Sequence, residues 1–112
     1  MTRIECIVRP ERLGELQDAL ADLGITGLTV SEVRGRGRQA GYSDRFRGRE
    51  YQVRLLPKIK VDVVVRDDRV AEAVEAIVAA AWTGEIGDGK IFLSRVDEAI
   101  RVRTGERGEA AL

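Results

Sequence analysis

The sequence KIKVDVVVRDDRVAEAVEAIVAAAWTG, residues 58–84, predicts a strand, a helix and a glycine turn in succession. Its segment 61–65 is almost continuously β-branched, which is typical of a strand buried on both faces. The segment after it has apolar residues at helical spacing: Val70, Val74, Ile77, Val78 and Ala81. Asp68 is expected to cap this helix. The stretch therefore predicts a central strand followed by an amphipathic helix.

The same unit occurs once before in the chain, at a constant offset. The recurring pairs are Val8 and Val65, Arg9 and Arg66, Arg12 and Arg69, Glu15 and Glu72, Ala19 and Ala76, Thr26 and Thr83, and Gly27 and Gly84. A duplicated strand–helix unit predicts two similar halves. Right-handed crossovers then place both helices on one face of a four-stranded antiparallel sheet. The predicted fold class is α+β, a duplicated ferredoxin-like sandwich.

The other elements follow from the same patterns. They are strands at 2–8, 25–33, 91–96 and 100–103, a helix that begins at Pro10 and ends at Gly24, and a polar, weakly ordered tail at 104–112. Apolar residues occur on both faces of the central strands, for example Val63 and Val64. An uncovered apolar sheet face would favour association with other copies of the chain.

A long polar stretch, RGRGRQAGYSDRFRGREYQVRLLPK at 34–58, separates the two halves. Connections in compact domains are usually about 4 to 6 residues long. From Arg34 to Tyr51 this stretch has six arginines, four glycines and two acids. Because it has no apolar period to bury, we expect it to stay mobile unless a ligand or partner orders it. We interpret it as an interaction loop.

Composition limits the remaining possibilities. The 112 residues are enough for one domain, and the 19 basic residues balance the 19 acidic ones, which argues against nonspecific nucleic-acid binding. The single cysteine, Cys6, lies in a strand pattern and is expected in the core. No signal peptide or long apolar run is visible, so a cytoplasmic location is expected.

The glycine-rich segment GEIGDGK, residues 84–90, fits part of a phosphate-binding loop. Ile91 stands where a phosphate loop needs Ser or Thr, and the segment follows a helix instead of a strand. An ordinary glycine turn therefore remains an alternative. Lys90, Arg38, Arg101 and Arg103 together nevertheless predict an anion site. The chain has no histidine, and no nucleophile or metal constellation is visible in its sequence.

Four segments resemble the PII nitrogen signal-transduction proteins of the GlnB/GlnK type. They are Gly24–Gln39, Arg47–Lys58, Thr83–Phe92 and Ile100–Glu106, and the resemblance extends over essentially the whole chain. It implies one ferredoxin-like domain over 1–112 that assembles as a homotrimer. Within this domain it implies a long interaction loop at about 37–55, a phosphate-binding loop at about 82–90 and a C-terminal loop and tail at about 101–112.

The resemblance also implies ligand sites. One subunit would hold ATP or ADP with Thr29, Gly37, Arg38, Val64, Gly87, Asp88, Gly89 and Lys90, and the neighbouring subunit with Arg101, Val102 and Arg103. Gln39 would bind Mg²⁺, and 2-oxoglutarate would lie against this ion, Gln39, Ala40, Gly41 and Lys58. Tyr51 would be the site of covalent modification.

By the same resemblance the protein is a regulator and not an enzyme. The loop would bind an ammonium transporter, a nucleotidyltransferase or other nitrogen-metabolism enzymes, with membrane contact only through a transporter and no nucleic-acid partner. Arg36, Arg49, Trp82 and Glu85 depart from the family pattern and leave the choice of partner open; Trp82 is interpreted as helix-end packing in preference to an adenine contact. A weak ATPase and a ferredoxin-like RNA-binding module remain alternatives from other classes.

Overall fold

The computed structural model describes residues 1–37 and 55–112, together with the backbone of 43–46 and 49–52. Its strands are β1 (Thr2–Val8), β2 (Thr29–Gly35), β3 (Ser43–Phe46), β4 (Arg49–Gln52), β5 (Leu56–Val65) and β6 (Gly89–Arg95). Its helices are α1 (Leu13–Asp22) and α2 (Val70–Ala81), each preceded by a 3-10 turn, at Pro10–Arg12 and Asp67–Arg69. A further 3-10 turn covers Gly108–Ala111.

Four of these strands form one antiparallel sheet in the order β2-β5-β1-β6. The register pairs Cys6 with Val61 on one side and with Ile91 on the other. β5 is thus an inner strand, as the β-branched run predicted. The strand order, with a helix after β1 and another after β5, confirms the ferredoxin-like fold.

The core lies between this sheet and the two helices. It consists of the alternate strand residues Ile4, Cys6, Val8, Ile59, Val61, Val63 and Val65, and of Leu16, Leu20, Ala73, Ile77 and Ala81 from the helices. Cys6 is fully buried, which confirms its expected place. Burial raises the pKa of its thiol to about 11, so the side chain stays un-ionised at neutral pH and acts as a small apolar residue.

Two arginines that the repeat relates to each other join the halves reciprocally. Arg12, just before α1, donates from Nε to the Ala80 carbonyl near the end of α2 at 3.0 Å. Arg69, just before α2, donates from Nη2 to the Leu23 carbonyl at the end of α1. The last carbonyls of a helix lack partners within the helix and carry partial negative charge. Each half therefore caps the helix of the other half.

The prediction of an apolar uncovered sheet face is only partly right. Ile7, Val64 and Phe92 lie on this face, but their neighbours are charged. Lys60 and Glu5 form an ion pair at 2.9 Å across β5 and β1, and the hydrogen bond from Lys60 to Glu5 raises the pKa of the lysine. The face is therefore mixed, and apolar area alone does not define a contact between copies.

The end of α1 agrees with the sequence, whereas the start of the next strand does not. Gly24 has φ 77° and its N–H donates to the Ala21 carbonyl at 2.8 Å, so the expected glycine cap is confirmed. β2 begins at Thr29 and not at residue 25. Ile25 and Leu28 instead pack against the core from the connection. These two side chains are apolar because they pack against the core. An apolar pattern in the sequence does not show whether the backbone of such residues also pairs in a sheet.

Asp68 does not cap the second helix, contrary to the prediction. It lies in the 3-10 turn Asp67–Arg69 and accepts a bond from Arg66 Nη2 at 3.1 Å, and no side chain caps α2 at its N-terminus. The extra 3-10 turn moves the first helical residue to Val70. The prediction of a cap at Asp68 required the helix to begin at the next residue, and the 3-10 turn prevents this.

The predicted fifth strand at 100–103 is also wrong. Ile100 forms an isolated bridge with Arg107, and residues 102–104 make a turn between them. The Arg101 N–H donates to the Glu106 carbonyl at 2.9 Å, and the Gly105 N–H donates to the Arg101 carbonyl at 2.8 Å. Since the chain reverses here, Arg101 and Arg103 do not alternate along one strand face.

The long loop contains a pair of strands that its composition did not indicate. β3 and β4 are antiparallel, with Ser43 opposite Gln52 and Phe46 opposite Arg49. Strand pairing uses backbone groups, so it needs no apolar period. Within the part of the chain that the structure describes, no helix is long and apolar enough to cross a membrane.

The reciprocal caps predict a stability loss with a suitable control. Arg12→Met should lower the free energy of unfolding by about 1 to 3 kcal/mol, because the Ala80 carbonyl loses a charged donor. Arg107→Met should change it by less than about 0.5 kcal/mol, because the Arg107 side chain forms an exposed pair with Glu98 at 3.7 Å. Urea unfolding of both variants at equal protein concentration measures this, and equal losses would contradict the capping role.

Candidate functional site

Several strand ends meet at one end of the sheet. β1 ends at Val8, and the register places this residue opposite Ile59 near the start of β5 and opposite Gly89 at the start of β6. β2 ends at the same end, because Gly35 pairs with Leu56. The segment 83–90 and the base of the long loop therefore emerge side by side.

The segment 83–88 is closed on the carboxylate of Asp88, and we call it the Asp88 loop. Asp88 accepts bonds from the Thr83 N–H at 2.7 Å, the Gly84 N–H at 2.9 Å and the Thr83 hydroxyl. Arg9 Nε adds a charged bond at 3.0 Å from the end of β1. These donors, the Thr83 hydroxyl foremost, hold the pKa of Asp88 well below its usual value. The Asp88 carboxylate is therefore an anion bound by the N–H and hydroxyl groups of its own loop.

Two cations hold the carbonyls of the same loop. Arg9 Nη2 donates to the Ile86 carbonyl at 2.8 Å, and Lys58 Nζ donates to the Gly87 carbonyl at 2.7 Å. Partial burial, followed by repulsion from Arg9, lowers the pKa of Lys58. The residue predicted for 2-oxoglutarate thus directly contacts the loop predicted for nucleotide. Sequence reasoning missed Arg9, whose only signal was its recurrence as Arg66.

Gly89 is required by packing. Its φ is 115°, and a Cβ built on it would lie 1.8 Å from the Ile7 carbonyl oxygen. Any other residue would collide with β1 as β6 begins. The fold thus accounts for this glycine of the phosphate-loop pattern without a ligand.

The predicted nucleotide residues occupy separate places in one copy of the chain. Thr29 pairs with Asp62 at the edge of the sheet formed by β2, whereas Lys90 lies on β6 at the other edge. The two edges are three strand spacings apart, about 14 Å. Val64 lies opposite Arg3 on β1, further along the sheet from Lys90, which pairs with Ile7. In one copy of the chain these residues therefore do not form a compact site.

Arg101, Val102 and Arg103 lie beyond the far end of β6. That end is fixed by the pairing of Thr2 with Arg95, about 20 Å along the strand from Gly89. Val102 and Arg103 are exposed on the turn, with Val102 99% accessible. The structure does not bring these residues to Lys90 within one copy.

The loop residues of the predicted sites lie mainly outside the described part of the chain. Gly37, after β2, is described and exposed, whereas Arg38, Gln39, Ala40 and Gly41 fall outside the described residues. Tyr51 belongs to β4 by its backbone, and its side chain is also outside them. In residues 1–37 and 55–112 no three His, Cys, Asp or Glu side chains group as metal ligands.

Trp82 follows the last residue of α2 and is 65% exposed. Its ring lies against Gly84, with the nearest ring carbon 3.1 Å from the position that a Cβ on this glycine would occupy. The described contact of the Trp82 ring is with the Asp88 loop directly after the helix. The predicted packing at the helix end is therefore a contact with this loop and not burial in the core. A separate groove of about 450 Å³ lies at the base of the long loop, with Lys58, Arg34 and Glu32 in its lining.

Comparison with known proteins fits this arrangement. A family model described as "Nitrogen regulatory protein P-II" matches residues 1–106. "Nitrogen regulatory protein P-II 2" of Methanothermobacter thermautotrophicus is 54% identical over all 112 residues and 97% of its own length. The P-II proteins of Pasteurella multocida and Microchaete diplosiphon are 51% and 54% identical over the full length of both chains.

The chain therefore belongs to the nitrogen regulatory protein P-II family. Members of this family are signal transducers that regulate targets in nitrogen metabolism. The family confirms the resemblance found in the sequence, and it places the Asp88 loop and the base of the long loop in a regulatory protein.

The bonds to Asp88 predict how stability depends on pH. Because the folded pKa of Asp88 lies below its unfolded value, the charged loop stabilises the fold above about pH 4. This contribution should be lost as the pH falls from about 4 towards the folded pKa. Asp88→Asn should thus be less stable than the natural chain at pH 7, and the difference should shrink below pH 4. Urea unfolding along a pH series tests this; a difference that grows with acidification would contradict it.

Proposed function

We propose that this chain is a nonenzymatic sensor that binds ATP or ADP in clefts between copies and couples this binding to 2-oxoglutarate. The observation that carries the proposal is the 2.7 Å bond between Lys58 Nζ and the Gly87 carbonyl. It joins the start of β5, at the base of the long loop, to the Asp88 loop. A ligand that moves either partner changes the environment of the other, which is the requirement for coupled sites.

The nucleotide cleft is proposed to combine residues from two copies. One copy would contribute the sheet end with Gly37, Arg38 and 87–90, and the next copy would contribute Arg101–Arg103. Thr29 and Val64 are assigned to the second copy as well, because they lie apart from Lys90 in one chain. This revises the grouping implied by the resemblance. Adenine would lie against Val64, and the phosphates would face Lys90 and the arginines.

A homotrimer would form such clefts. β2 and β6 are the two edges of the described four-stranded sheet, and edge strands can pair with another chain. A contact between unlike edges repeats head to tail and makes a ring when the rotation closes. Exposed apolar residues lie on both edges, Val30 on β2 and Phe92 and Leu93 on β6. Burying them together would stabilise the ring.

Light scattering tests the assembly. We expect a mass about three times the 12.4 kDa of one chain at micromolar concentration. A monomer would remove the shared cleft, because Lys90 and Arg101 would then stay at separate ends of β6. A dimer would contradict the ring as well.

Magnesium and 2-oxoglutarate are proposed to bind together at the base of the long loop. The Lys58 ammonium lines a groove of suitable size for a small acid. Magnesium commonly takes most of its oxygen ligands from phosphates and water, with few from the protein. Gln39 would supply an amide oxygen. The bound ion would contribute positive charge that holds the 2-oxo acid beside the phosphates.

The long loop is proposed to carry the signal to targets in the cytoplasm. Residues 37–55 would change conformation with the ligands at their base, and Tyr51 would be the modified residue. Partners would be an ammonium transporter, a nucleotidyltransferase or other nitrogen-metabolism enzymes. The positive charge of this loop would speed association with a target surface of negative charge.

Calorimetry with a matched pair of variants tests the coupled site. 2-Oxoglutarate should bind measurably with MgATP, and much more weakly with MgADP or without nucleotide. Lys58→Met should weaken this binding at least about tenfold, because one charged bond contributes about 1.5 to 3 kcal/mol. Lys60→Met, two residues along β5 and paired with Glu5, should leave it within about twofold. Equal binding with and without nucleotide would overturn the proposal.

A further inference from the structure

The C-terminal segment, residues 97–112, folds onto itself through polar contacts. Ile100 bridges to Arg107, and the Gly108 N–H donates to the Ala99 carbonyl at 2.9 Å. Three of its acids have separate partners: Glu98 pairs with Arg107, Glu109 pairs with Arg66, and Glu106 pairs with Arg101. The segment therefore has one defined shape in which each of these carboxylates has an assigned cation.

Both terminal nitrogens of Arg101 are occupied by this segment. Nη1 donates to Glu106 Oε1 and Nη2 donates to the Leu112 carbonyl oxygen, each at 3.0 Å. The guanidinium fork that could bind two oxygens of a phosphate thus already binds two oxygens of its own chain. The side chains of Arg101 and Glu106 are 36% and 44% exposed, so solvent and ligands can reach the pair.

We propose that the C-terminal segment is an autoinhibitory strap that competes with nucleotide phosphate for Arg101. In the closed state Glu106 and the Leu112 carbonyl hold the guanidinium. In the bound state phosphate oxygens replace them, and the turn 101–106 opens or shifts to release its acid. The proposal rests on the proposed nucleotide site. It adds that Arg101 must be released from Glu106 and Leu112 before it can bind phosphate. The strap lowers apparent affinity by the fraction of copies held closed.

The size of the effect follows from the exposure of the pair. An exposed Arg–Glu pair shifts an equilibrium by only a small factor, about 1.5- to 5-fold. Glu106→Gln keeps the size of the side chain and removes its charge, so it should tighten ATP binding by about 2- to 5-fold. Glu106→Ala should act in the same direction. Since the pair lies at the surface, both variants are expected to fold, which circular dichroism would check.

A matched control separates the local contact from general charge. Glu109→Gln removes the same charge from the same segment, and Glu109 pairs with Arg66 and not with Arg101. This variant should change ATP affinity by less than about 1.5-fold. A double-mutant cycle adds a second readout: in an Arg101→Met background, Glu106→Gln should no longer tighten binding. Isothermal calorimetry with MgATP on the full chain measures all of these.

The outcomes distinguish the strap from the site itself. If the natural chain binds ATP and Glu106→Gln tightens it selectively, the strap is supported. If the natural chain binds ATP but Glu106→Gln and Glu106→Ala do not differ from Glu109→Gln, the strap is wrong and the nucleotide site stands. If ATP binds only after Glu106 is replaced, the strap is stronger than expected. If no variant binds ATP, both the strap and the nucleotide site are overturned.

Discussion

The antiparallel pairing of β1 with β5 is the contact on which the arrangement of the two halves depends, and the reciprocal arginine caps add to it on the helix side of the sheet. Arg12 bonds the Ala80 carbonyl near the end of α2, and Arg69 bonds the Leu23 carbonyl at the end of α1. Each bond ties the start of one helix to the end of the other, which is possible because the strand order places the helices antiparallel over the same sheet face. The caps also fix the points at which the chain leaves α1 and α2. The second of these points is where the Asp88 loop begins.

The Asp88 loop is the part of this frame whose polar contacts a ligand can change. Its amides bind the Asp88 carboxylate, and its carbonyls bind Arg9 and Lys58, so three different segments share one set of polar contacts. Some of these contacts are exposed and others are only partly buried, so ligands can reach and exchange them. The buried sheet beneath, with Ile4 and Val61 fully inaccessible, does not need to move. Regulation can then act on side-chain partners while the core stays intact.

Most of the fold and little of the site geometry could be predicted from the sequence. Alternating residues such as Ile4, Cys6 and Val8 identify β1 and its buried face because strand periodicity is local. The errors at Asp68 and at residues 100–103 have a common cause. A short turn can shift or replace an element at no cost to the hydrophobic pattern, so a pattern does not locate it. Arg9 was missed for a different reason, since its partner Asp88 is 79 positions away.

The sequence alone determined the duplicated strand–helix plan, the central place of 61–65, the polar interruption and the family, because these depend on local periodicity and on residue identity. The tertiary structure decided what the charged residues do. Arg69 became a helix cap, Asp88 became the internal anion of its loop, and Arg101 became bound to Glu106. A charge in a sequence has many possible partners, and its role is set by the oxygen that the completed fold brings within about 3 Å.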